Sequence, residues 1–119
     1  MKLFSRYSEA RLKKFTNKKL YERLTRLENE KVSDTESLQA LLLEISRRDP
    51  AEFEAGKIAA EVEKSKRHAV RESTDILYYE IKYCEDYLAK PQSETDPFER
   101  KLRYAKLQMI QEELSFRKV

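Results

Sequence analysis

The chain has 119 residues, 39% of them charged, and its 25 basic and 22 acidic side chains leave a net charge of only +3. Leu, Ile, Val and Phe supply 28 residues, above the level of disordered chains, while Ala, Glu, Lys, Leu and Arg supply 65, the composition of long helices. A single glycine excludes a Gly-rich phosphate loop or dinucleotide fingerprint, and one Cys with one His excludes a metal site built from those residues.

Helix signals place segments at about 5–15, 18–31, 34–48, 50–89 and 97–117. Thr16 or Asn17 caps the second segment, where Leu20, Leu24 and Leu27 form one stripe with Tyr21 beside it. Ser33-Asp34-Thr35-Glu36 is a capping box for the third, in which Leu38, Leu41, Leu42 and Ile45 share a face and Leu43 points elsewhere. Asp49-Pro50-Ala51-Glu52 and Asp96-Pro97-Phe98-Glu99 repeat one device: an Asp cap, a proline with preset φ at the first helical position, and a Glu three residues on. The long fourth segment carries an internal cap signal at Ser73-Thr74-Asp75. Leu77, Ile81, Cys84 and Leu88 form a stripe after it, with Ile76, Tyr83 and Tyr87 on a second stripe alongside. Pro91 stops this helix within a polar stretch.

The last segment is apolar on two sides. Phe98, Leu102, Ala105, Met109 and Phe116 cluster on one, and Leu107, Ile110 and Leu114 on the other. Such a helix must be covered twice, either at the centre of the fold or by a second copy. A homodimer with Leu107, Ile110 and Leu114 as its seam is the expectation.

Residues 38–48 can be laid over 107–117, and the Thr16-Asn17, Leu20-Tyr21, Leu24, Glu28 series over Ser73-Thr74, Leu77-Tyr78, Ile81, Glu85. The offsets are 69 and 57, so the second copy holds 12 more residues between its helices. The expected fold is therefore all-α: one domain over 1–119, with two amphipathic helical hairpins at about 16–48 and 73–117 joined by a long helix at about 50–72 in a compact helical bundle.

Charge is segregated into blocks: +7 over 1–27, −6 over 28–63, +4 over 64–71, −6 over 72–99 and +4 over 100–119. Self-complementary antiparallel helices produce such alternation, and basic blocks gathered in space would equally bind phosphates. Arg11, Lys14 and Lys18, with Lys64, Arg67 and Arg71, are the candidates for nucleic acid or an acidic partner. Arg100, Lys101 and Arg103 open the last helix, where the helix dipole disfavours cations, so that turn asks for an acidic neighbour or a ligand. Seven tyrosines with no tryptophan suit interfaces, and Tyr79, Tyr83 and Tyr87 are the candidates for a protein contact.

No catalytic constellation emerges. His68, flanked by Lys66, Arg67 and Arg71, reads as a solvated histidine, and Cys84 as a small buried hydrophobe that forms no internal disulfide. Glu61, Glu63 and Glu80 show no pairing suited to carboxylate catalysis. The longest uninterrupted apolar run, Leu41–Leu43, is far short of the roughly 18 residues a membrane span needs. The expectation is a small cytoplasmic, non-enzymatic binding or regulatory protein without cofactor or metal. It would act on another protein as inhibitor or adaptor, in the manner of regulators on phage- or plasmid-borne genes. The alternatives are an accessory nucleic-acid-binding protein and an assembly protein that oligomerises through its last helix.

Overall fold

A computed structural model describes residues 6–31 and 34–117. They form six α-helices: α1 (Glu9–Lys13), α2 (Asn17–Glu28), α3 (Thr35–Ser46), α4 (Pro50–Ala69), α5 (Thr74–Leu88) and α6 (Pro97–Phe116). A 3-10 turn at Gln92–Glu94 lies in the polar stretch before α6, and no strand occurs among the described residues. The caps are the side chains named by the sequence. Thr16, Asp34, Ser73 and Asp96 accept from the backbone N–H groups of Lys19, Ser37, Ile76 and Glu99, and Asp49 accepts from that of Glu52. Ser33, the other candidate in its capping box, lies outside the described residues, as does Ser5 at the head of the expected first helix.

The internal cap signal is used: the stretch 50–89 is two helices, interrupted at the Ser73 cap. One expectation changes. The segment drawn at 5–15 is helical only over Glu9–Lys13, because the Ser8 hydroxyl caps it by accepting from Arg11 N–H, and Tyr7 turns inward before it.

The chain divides into two compact units, Met1–Ala60 and Glu61–Val119, with the boundary inside α4. In the first, Tyr7, Leu12, Phe15, Leu20, Leu27 and Leu41 form the core, flanked by Ala40, Ile45 and Phe53. Leu42 does not join them: it is 47% exposed, close to the 53% of Leu43, so the apolar face of α3 is narrower than its pattern suggested. Gly56 stands where α4 meets the start of α2. A Cβ there would lie 2.7 Å from the Asn17 Cβ and 2.7 Å from the Lys18 backbone nitrogen. Backbone cannot swing aside as a side chain can, so Gly56→Ala is expected to cost about 1–3 kcal/mol of first-unit stability in urea unfolding. A neutral or stabilising result would mean that α4 is not seated this closely.

In the second unit, Ala69, Leu77, Met109, Ile110 and Leu114 form the core, with Val62 and Ile81 packed against it. α5 and α6 run against each other, which explains the basic first turn of α6. The Arg100 guanidinium donates to the carbonyls of Leu88 and Lys90 at the C-terminal end of α5, where the dipole is negative.

Positions 57 apart early in the units and 69 apart later carry the same structural work. Leu20 and Leu77 are fully buried, and Leu12 and Ala69, Leu27 and Cys84, and Leu41 and Ile110 are buried pairwise. Thr16 and Ser73 are both caps. The matched arginines make matched clamps. Arg48 binds Glu44 Oε2 at 2.8 Å, Asn17 Oδ1 at 3.1 Å and the Leu12 carbonyl at 3.0 Å. Arg117 binds Glu113 Oε2 at 2.9 Å, Thr74 Oγ1 at 3.3 Å and the Ala69 carbonyl at 2.9 Å.

Candidate functional site

The second unit carries an open groove of about 330 Å3. Ser65, His68 and Ala69 line it from α4, Glu80, Tyr83 and Cys84 from α5, and Glu99, Arg103, Lys106, Met109 and Ile110 from α6. At its centre Arg103 Nε donates to Glu99 Oε1 at 2.6 Å, while the guanidinium carbon lies 4.7 Å from the Tyr83 ring centroid and 4.9 Å from that of Tyr87. Burial works against the Arg103 cation, but the hydrogen bonds with Glu99 and Tyr83 outweigh it and hold its pKa above the ordinary arginine value. Burial pushes the Cys84 thiol up, against the opposing pull of Arg103, so it behaves as a packed hydrophobe rather than a nucleophile.

The aromatic candidates divide by exposure. Tyr79 and Tyr83 are 73% and 59% exposed, and Tyr78 and Tyr104 stand half exposed as well. Tyr87 instead holds the linker: its hydroxyl accepts from the Asp96 backbone N–H. The seam expected at Leu107, Ile110 and Leu114 is corrected. Ile110 and Leu114 are buried in the second unit's own core, where the end of α4 supplies Val62 and Ala69 as the missing cover, and Leu107 is half-buried. Ile110 and Leu114 are therefore not exposed to a second copy. Phe116 on the other side of the helix is 85% exposed.

Half of the basic candidates are engaged. The Arg11 guanidinium donates to the Arg6 carbonyl and sits over the Tyr7 and Phe15 rings, Lys18 pairs with Glu22, and Arg67 donates to Glu63. Lys14, Lys64 and Arg71 are exposed, with no ion pair among the described residues. Arg11, Lys14 and Lys18 belong to the first unit, and Lys64, Arg67 and Arg71 to the second.

Sequence reasoning missed an electrostatic cluster in the first unit. Arg6 clasps both Glu30 carboxylate oxygens, at 2.6 and 3.0 Å, places Nε 2.8 Å from Asp34, and donates its backbone N–H to the Ser37 hydroxyl at 2.7 Å. Its neighbour Tyr7 is buried edge-on to Phe15, 5.9 Å between centroids. The hydrogen bond from Arg6 holds the Glu30 carboxyl below its ordinary value of 4.5. A depressed carboxylate contributes stability above its unfolded pKa and loses it as pH falls through the folded one. Glu30→Gln is therefore expected to be less stable than the parent at neutral pH, with the gap closing in acid once pH has fallen through the lowered folded-state pKa. Thermal melts at neutral and acid pH check this, and a gap unchanged in acid would rule out the pair as its source.

Among the described residues no three His, Cys, Asp or Glu side chains gather to hold a metal, and no helix is long and apolar enough to cross a membrane. Compared with known protein families, curated proteins and solved structures, the chain matches none.

Proposed function

We propose that the chain is a non-enzymatic binding module that acts on another protein, with the groove face of the second unit as its contact surface. The carrying observation is the concave site in which the Arg103 guanidinium stands over the Tyr83 and Tyr87 rings, with exposed Tyr83 in its lining and exposed Tyr79 one turn earlier on α5. Tyr and Arg are the residue types that anchor protein interfaces, since rigid rings and a planar fork lose little entropy on binding. The groove also has an apolar floor, Met109 and Ile110, with a few convergent polar groups above it.

Selection of displayed random peptides on the immobilised full-length chain tests the reading. Enriched peptides are expected to lose about tenfold or more in affinity on Tyr83→Ser, a change at an exposed position that leaves the core intact. Enriched peptides indifferent to Tyr83→Ser and to Tyr79→Ser would overturn it. The nucleic-acid alternative draws on Lys14, Lys64 and Arg71. Anisotropy with generic duplex and single-stranded oligonucleotides at several salt concentrations addresses it, and a log–log slope steeper than about −3 would put phosphate recognition first.

A further inference from the structure

In the first unit the place that corresponds to this groove is filled by the chain itself. At the 57 and 69 offsets, the groove residues Cys84, Ile110, Glu99, Arg103 and Lys106 stand where the first unit has Leu27, Leu41, Glu30, Asp34 and Ser37. Those first-unit residues hold Arg6 and Tyr7: Glu30, Asp34 and Ser37 bind Arg6, and Leu27 and Leu41 share a core with Tyr7. Among the described residues the second unit has no equivalent occupant. Ser8 caps α1 with Arg6 and Tyr7 in bends before it, but at the matching Ser65 the helix α4 runs straight through, and Glu63 and Lys64 stay exposed on it. Smaller side chains also line it, Ala69 for Leu12 and Cys84 for Leu27, which leaves a slot between α4, α5 and α6. At the three matched positions the polar wall gains two cations, while Glu80 adds a carboxylate elsewhere in the lining and Glu99 is paired with Arg103. Two carboxylates and a hydroxyl become Glu99, Arg103 and Lys106.

We propose that the groove takes an extended segment of a partner protein in which an acidic side chain directly precedes an aromatic one, the pattern of Arg6-Tyr7 with its charge reversed. This rests on the protein-binding reading above. The aromatic ring enters the slot over Cys84 and Ile110, and the carboxylate meets Lys106 and the Arg103 guanidinium.

The test uses the full-length chain and two fluorescein-labelled peptides of residues 4–10, one parental and one carrying Arg6→Asp. The Arg6→Asp peptide is expected to bind about tenfold more tightly than the parental peptide, an advantage that shrinks with salt. Lys106→Glu, at a side chain with no ion pair among the described residues, is expected to erase or invert that preference while circular dichroism stays unchanged. Cys84→Leu, which restores the side chain of Leu27, is expected to weaken both peptides by refilling the slot. Tighter binding of the parental peptide would overturn the proposal in favour of the Arg6-Tyr7 segment of a second copy. Displacement of the acidic peptide by a generic oligonucleotide would overturn it in favour of a phosphate site. If neither peptide binds while selected random peptides still depend on Tyr83, the acidic-aromatic chemistry fails and the binding-module reading stands. If both experiments fail, both are wrong.

Discussion

Arg48→Met is expected to lower the stability of the first unit by about 3 kcal/mol, read as a shift in the urea midpoint. The Glu44 carboxylate is only 5% exposed, and its Oε2 takes the Arg48 Nε proton at 2.8 Å. Its Oε1 is buried without a hydrogen bond; the nearest cation is the Arg47 guanidinium at 3.9 Å. Removing Arg48 leaves a buried charge whose remaining cation is Arg47 at 3.9 Å, with no hydrogen bond to it, and takes donors from the Leu12 carbonyl and Asn17. The double variant Glu44→Leu with Arg48→Met should recover much of the loss, because it removes both charges together. Arg117→Met should cost less, since the Glu113 side chain retains more exposure than that of Glu44, 14% against 6%. A loss below about 1 kcal/mol for Arg48→Met would mean that Glu44 reaches water or is held by Arg47 instead.

Leu20→Ala and Leu77→Ala are each expected to cost about 3 kcal/mol, within the range for a fully buried leucine whose cavity cannot collapse. Both side chains have no exposed area, and each stands in the core of its own unit. Leu43→Ala, at a half-exposed position on α3, is the control and should stay within about 0.5 kcal/mol of the parent. Equal, small losses at all three would show that the two cores are looser than their burial indicates. Urea unfolding followed by circular dichroism and by tyrosine fluorescence separates these outcomes.

Much of the fold was legible because helix ends are written in side chains. Asp49, Asp96, Thr16 and Ser73 cap helices as their neighbours suggested, and the alternation at Leu77, Ile81 and Cys84 marked a buried stripe. The site was less legible. Arg48 and Arg117 bind backbone carbonyls, and a carbonyl acceptor leaves no trace in the identity of its residue. The i, i+4 pairs Glu44 with Arg48 and Glu113 with Arg117 were the available signal, repeated at the same offset. Tyr7 is not legible, because a single buried ring before a serine cap has no period. Nor is the cover on Ile110 and Leu114, because the periodicity of α6 does not say that α4 brings Val62 and Ala69 against it.

The arginine clamps also set the length of chain that each unit must close. The Arg48 guanidinium reaches back 36 residues to Leu12, and that of Arg117 reaches back 48 to Ala69. Closure entropy grows only with the logarithm of that length, so the added segment costs roughly a quarter of a kcal/mol. A longer hairpin is thus almost neutral for folding. α5 and α6 can extend past α2 and α3, carrying Tyr87 and Arg103 on the added turns, while the ends of the unit stay tied by the same three hydrogen bonds.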